Sequence, residues 1–187
     1  MYSIVPKEKR NYEPTIFVGG PIQYAIEDQG FDCSLRSQID LIISHLQEFK
    51  YKVLSAHITE NFGEETHSLS SETITKRDFA WMQACDLFIA VLPENGEGKL
   101  YRSDGTHIEL GWATVLNKTT IILTHPHCIP ELSHLVRGLN QLLPVTIVNI
   151  ESALTEKSFF QLTIEQRLQN LTTKANSIKN HISPIQK

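Results

Sequence analysis

The run Asp86-Leu87-Phe88-Ile89-Ala90-Val91 is almost continuously apolar, and it narrows the possible folds more than any other stretch. A strand with one wet face alternates polar and apolar residues, so an unbroken apolar run implies helices covering both faces. The neighbouring segments agree. Thr15 to Ile22 is a β-branched and aromatic run stopped by Gly19-Gly20-Pro21, as for a buried strand ending in a tight turn. Lys52 to His57, Thr119 to Thr124 and Val145 to Asn149 read as three more strands. Between them, Ser34 to Phe49 keeps Leu35, Ile39, Ile42, Ile43 and Leu46 at helical spacing. Further helices are expected from Ser71, from the turn at Gly105, from Pro130 at a first-turn position and over Phe159 to Ile178. Alternating strands and helices predict an α/β fold: an open five-stranded parallel sheet, Rossmann- or flavodoxin-like, with helices on both faces. A strand order of 2-1-3-4-5 would open a ligand crevice between the first and third strands.

The 187 residues suffice for one sizeable core, so residues 1–187 are expected to form a single domain, with a polar lead over 1–13 and a frayed tail over 180–187. The net charge of -4 lacks the basic excess of a nucleic-acid binder. No segment approaches the roughly 20 apolar residues of a membrane helix, and the charged start has no apolar signal core. Three widely spaced cysteines imply no disulfide framework, and a reducing, cytoplasmic location is expected. Neither a phosphate loop ending in Gly-Lys nor a dinucleotide fingerprint follows the first strand, so neither a nucleoside triphosphate nor a dinucleotide cofactor is indicated.

The chemistry gathers at Ser103-Asp104-Gly105-Thr106-His107-Ile108-Glu109-Leu110-Gly111-Trp112-Ala113, a polar turn entering a helix. Trp112, Ala113 and Leu116 follow Glu109 at i+3, i+4 and i+7, so its carboxylate lies in line with the apolar stripe. Two readings stand: Thr106-x-x-Glu109 as a capping box, or an acid one turn inside a helix whose N-terminus borders an anion site. Asp78 likewise interrupts the face of Ile74, Trp81, Met82 and Cys85, either inward or rotated out to pair with Arg77 or Lys76. His57 closes the second strand as a hydrogen-bonded end residue or a ligand contact. Ile58 to Ser70 is a polar loop over the sheet that could close on a ligand. Two acids converging in a partly apolar crevice suit cleavage at an anomeric carbon, and adjacent hydroxyls and free backbone N–H groups suit a phosphate.

Phe17-Val18-Gly19-Gly20-Pro21, Asp78 eight residues before Asp86, and Gly105-Thr106-x-x-Glu109-Leu110-Gly111-Trp112-Ala113 together resemble the nucleoside 2-deoxyribosyltransferase superfamily from about Ile16 to Gly138. Within it the chain is similar to the nucleoside 5'-monophosphate N-glycosidases, which include 2'-deoxynucleoside 5'-phosphate N-hydrolases and cytidylate and hydroxymethylcytidylate hydrolases. The resemblance implies Glu109 as the nucleophile of a glycosyl-enzyme intermediate and Asp78 as the acid assisting the leaving base. It places Phe17 beside sugar and base. Gly19, Gly20, Pro21, Ile22, His57, Ser103, Asp104, Gly105 and Thr106 would surround the substrate, with Ser103 at the phosphate. It implies a homodimer or higher homo-oligomer in which Ser133 reaches a neighbouring subunit's site. The substrate would be a nucleoside monophosphate, with no metal or organic cofactor.

Departures from the family pattern keep other readings open. Asp104 adjoins Ser103, and transferases carry an aspartate there for the 5'-hydroxyl, so base exchange is the nearest rival. Gln23 stands where these hydrolases often have arginine, which Lys99 or Arg102 could replace. A non-catalytic nucleotide sensor would not require two inward acids. A metal site from His125, His127, Cys128 and His134 fits no tight zinc spacing.

Overall fold

The computed structural model describes residues 13–65 and 68–181, with side chains to residue 170. The expected lead and tail, apart from Glu13 and the last helical residues, lie outside these. Five parallel strands form the sheet: β1 (Thr15–Gly19), then β4 (Lys52–Ser55), β5 (Leu87–Val91), β6 (Thr119–Thr124) and β7 (Val145–Asn149). Their spatial order is β4-β1-β5-β6-β7, the flavodoxin-like arrangement. The register pairs Phe17 with Leu54 on one side and with Phe88 on the other. The central strands β5 and β6 are buried throughout, whereas the edge strands β4 and β7 are only partly covered.

Alternate residues divide the core into two layers. Ile16, Val18, Leu87, Ile89 and Leu123 pack against α1 (Cys33–Glu48), α6 (Ile150–Thr155) and α7 (Lys157–His181). Phe17, Phe88, Ala90 and Ile122 pack on the other side with Met82 of α3 (Ser71–Ala84), Leu110 and Ala113 of α4 (Asp104–Val115) and Val136 of α5 (His134–Arg137). Residues fully buried in such layers each contribute about 1.5–3 kcal/mol relative to exposure. Local chemistry sets the helix starts: Asp32 accepts from Leu35 N–H at 2.7 Å and Ser70 from Thr73 N–H at 3.2 Å.

The structure corrects several element boundaries. The first strand stops at Gly19, and the chain continues through a 3-10 turn (Gln23–Ala25) into a small hairpin of β2 (Ile26–Glu27) and β3 (Gly30–Phe31). Two-residue strands carry no alternation to read, so that hairpin is silent in the sequence. β4 ends at Ser55, and the chain turns at once into α2 (Ala56–Thr59), which carries His57. Pro130 starts no helix. It lies inside a 3-10 segment (Pro126–Glu131), and the next α-helix begins after Ser133, whose Oγ accepts from Val136 N–H at 3.3 Å. No helix among the described residues is long and apolar enough to cross a membrane.

Candidate active site

Beyond the carboxyl ends of β1 and β5, a crevice of about 440 Å³ opens between the β1–α1 segment, α2, α3 and the start of α4, within the size range of small-molecule sites. Asp78 and Glu109 both line it, as do Gly19, Gly20, Ile22, His57, Ser103, Asp104, Gly105 and Thr106. Strand order brings them together: β5 lies beside β1, and α3 and α4 flank β5 in sequence.

Glu109 is enclosed. Its Oε2 is buried without a hydrogen-bond partner, and a Cβ added to Gly19 would lie 2.1 Å from that oxygen. Gly19 is therefore required by a side chain of the same protein, where the sequence suggested only close approach of a ligand. Gly20 is likewise filled from within, a Cβ there meeting His57 Cε1 at 3.2 Å. Burial, and next the negative charge of Asp78, push the Glu109 carboxyl up to about 8. The capping box does not form. Ser103 occupies the N-cap position and donates instead to Thr106 Oγ1 at 2.6 Å. Asp104, Gly105 and Thr106 line the crevice, and the first N–H groups of a helix have no partner within it.

Asp78 combines both readings of its position. It is buried, and it accepts from Arg77 Nε at 2.8 Å. Burial raises its carboxyl above the ordinary range while the Arg77 hydrogen bond and charge pull it back part of the way. His57 is fully buried with Nε2 3.1 Å from the Pro21 carbonyl and Nδ1 3.3 Å from Ser55 Oγ. A carbonyl can only accept, so Nε2 carries the proton and Nδ1 accepts from Ser55. Burial lowers its pKa to about 4, which keeps the ring neutral.

Three expected positions fall elsewhere. Phe17 does not line the crevice: two residues before Gly19 on the same face of β1, it is fully buried in the core, its ring 5.8 Å from Trp81 and 5.3 Å from Phe88. Pro21 is buried off the lining and contributes its carbonyl to His57. Ser133 is exposed at the start of α5, outside the crevice of its own chain.

Tyr24 and Glu60 also line the crevice without having been singled out, and Arg102, named as a replacement charge, lies there as well. Arg102 stacks on Tyr24, 4.3 Å from the ring centroid, and grips Asp104 at 3.0 and 2.7 Å, with Tyr24 Oη donating to the same carboxylate at 3.4 Å. The Arg102 hydrogen bonds hold the Asp104 carboxyl below its usual range. Lys99 instead pairs with Glu97 at the surface. Glu60, from the loop read only as polar, is 2% exposed on the lining. The histidine-rich segment divides: His134 contacts Arg137 at 3.1 Å and His125 contacts Glu151 at 3.3 Å. Glu94, His127 and Cys128 place donor atoms within 4.8 Å of one another, off the crevice, with Glu94 and His127 in hydrogen-bond contact at 2.5 Å.

A parallel α/β sheet with two inward carboxylates at its switch point defines a small-molecule site rather than a polymer track. The family model of nucleoside 2-deoxyribosyltransferase matches residues 22–139, and the chain belongs to that family. A Trichoplax adhaerens protein carrying the provisional name 2'-deoxynucleoside 5'-phosphate N-hydrolase 1 is 31% identical over 97 residues, 52% of this chain. The match spans 61% of that relative's length. Among solved structures, Clostridium botulinum CMP N-glycosidase BcmB aligns over 81% of this chain and 98% of its own, with 24% identity and a TM-score of 0.52. BlsM aligns over 94% and 98% with 21% identity and a TM-score of 0.64. The 2-deoxyribosyltransferase of Bacillus psychrosaccharolyticus covers 75% and 90% with 17% identity and a TM-score of 0.50. At these identities the structures establish the shared fold.

Proposed function

We propose that the protein hydrolyses the N-glycosidic bond of a nucleoside 5'-monophosphate, releasing free base and a pentose 5-phosphate. The observation that carries this reading is the convergence of Asp78 and Glu109 on one crevice beside the N-terminus of α4. The Glu109 carboxylate attacks the anomeric carbon as the C–N bond breaks, and Asp78 delivers a proton to the departing base. Water then adds to the same carbon, Asp78 takes its proton, and Glu109 is released. One proton shared by the two acids satisfies this cycle. In the free protein the elevated Glu109 carboxyl holds that proton near neutral pH, so it must move to the leaving-group side as the substrate binds.

Ser103, Thr106 and the first turn of α4 suit the phosphate, and Arg102 lies at the same end of the crevice. Chromatography of ribo- and deoxyribonucleoside monophosphates incubated with the protein tests the reading: free base is expected from at least one, and none from any would refute it. Asp104 on the lining favours a second reading, base exchange on unphosphorylated deoxynucleosides. Transfer of the sugar to an added base, with monophosphates left intact, would establish it.

The active form is proposed to be a homo-oligomer in the cytoplasm. Ile108 and Val115 are 56% and 86% exposed on α4, where Trp112 meets Phe79 edge to face with ring centroids 5.3 Å apart. Leu135, beside Ser133, is 84% exposed. This apolar surface fits a second copy that presents Ser133 to the neighbouring crevice.

A further inference from the structure

Arg77 does not line the crevice, yet it touches the acid that does. Its Nε donates to Asp78 Oδ1 at 2.8 Å and its Nη2 to Glu60 Oε1 at 2.5 Å. The guanidinium also lies over Trp81, 4.7 Å from the ring centroid. The side chains of Glu60, Arg77 and Asp78 are only 3%, 15% and 12% exposed. A planar fork gripped at two edges and on one face has little rotational freedom left. A buried charged network of this kind is costly to desolvate, so its stabilising value is small and its value as an orienting device is larger.

We propose that Glu60 and Arg77 form a positioning relay in which the α2 segment holds Arg77 and Arg77 fixes the Asp78 carboxylate toward the ligand space. Arg77 acts through Asp78 and never on the substrate. The relay also ties the polar segment after α2 to α3, so displacement of Glu60 is transmitted to the acid. This deepens the proposed function, which gives Asp78 its task.

Three titratable groups face Asp78: Arg77 from its own helix, Glu60 from the end of α2 and, protonated near neutral pH, Glu109 from α4. His57, beside Glu60, is neutral. Arg77 holds the Asp78 carboxyl down and Glu60 pushes it up, which allows a test that a passive brace would fail. The ¹³C carboxyl resonances of Asp78 and Glu109, assigned with Asp78→Asn and Glu109→Gln, are titrated in Arg77→Gln and Glu60→Gln. Each replacement is near-isosteric and keeps hydrogen-bonding capacity, and circular dichroism checks folding.

Arg77→Gln is expected to move the Asp78 titration to higher pH and Glu60→Gln to move it to lower pH. In activity, Arg77→Gln should lower kcat by about 10-fold or more while KM changes little, as for loss of an interaction that matters in the transition state. Arg77→Lys should recover part of kcat. Movement of the Asp78 titration in the same direction in both variants, or in neither, would overturn the relay. Opposite shifts with no base released by wild-type protein would uphold the relay and reject the hydrolase reading.

Discussion

Asp104 and Glu109 stand five residues apart on one helix, and the protein treats them in opposite ways. Asp104 is exposed, held by Nε and Nη2 of the Arg102 guanidinium, and acidified by those bonds. Glu109 is buried against Gly19 with one oxygen unpartnered, and its carboxyl is pushed up to about 8. A partner at the mouth of the crevice stabilises charge, and its absence at the floor penalises charge. An unpartnered carboxylate beside a cavity is the group with most to gain from a carbon that develops positive charge.

The largest expected effect breaks the floor of the crevice. Glu109→Ala should lower base release by about 10³-fold or more, read by chromatography, while monophosphate binding measured by calorimetry largely survives. Undiminished turnover would remove Glu109 from the mechanism. Gly19→Ala should come next. Its methyl group cannot coexist with an oxygen 2.1 Å away, so Glu109 must be displaced, and a loss of about 10²-fold is expected for a misplaced reacting group. Asp78→Asn should slow departure of the base by about 10²-fold, least for substrates with good leaving bases.

A stability measurement sharpens the contrast without any substrate. The folded-state pKa of Glu109 lies above its ordinary value, so the native state binds the extra proton between roughly 4.5 and 8. This group's contribution is fully present below about pH 4.5 and is lost as pH rises toward 8. At about 1.4 kcal/mol per pKa unit, the upper bound is on the order of 5 kcal/mol. Glu109→Gln should therefore become progressively more stable than wild type over that range, and denaturant titrations that run parallel from pH 4.5 to 8 would contradict the burial argument. The same proton sets activity: kcat/KM should fall above about pH 8, where the acid pair loses its last proton.

The smallest effect lies at the mouth. Asp104→Asn should leave the unfolding midpoint in place, since its bonds are solvent-exposed. It should lower KM for a monophosphate by removing a carboxylate near the phosphate. A rise in KM for unphosphorylated nucleosides instead would favour the transferase reading.

Much of the frame was legible beforehand. The apolar run Leu87 to Val91 announced a strand covered on both faces, and the spacing of Leu35, Ile39, Ile42 and Leu46 marked the buried side of α1. Both inward acids were visible because a carboxylate in an apolar stripe breaks a pattern. Phe17 falls off the lining although it shares a strand face with Gly19, because a motif position names the strand without saying how far from its carboxyl end the packed core gives way to the crevice. Glu60 and Tyr24 passed unnoticed because each lies in a polar segment where a charged or aromatic residue breaks no pattern, and Arg102 was marked only as a replacement charge, with its grip on Asp104 unforeseen.

Taken by itself, the sequence determined what repeats locally: strand runs, helical faces, turns and a family motif, all governed by contacts within a few residues along the chain. The tertiary structure alone decided which groups share a dielectric environment and a partner. Glu109 meets Gly19 across ninety residues, Arg77 meets Glu60 across seventeen and Arg102 meets Tyr24 across seventy-eight. Desolvation and Coulomb energy depend on distances in space that neither composition nor periodicity encodes, so the same carboxylate becomes a surface anion at Asp104 and a stored proton at Glu109.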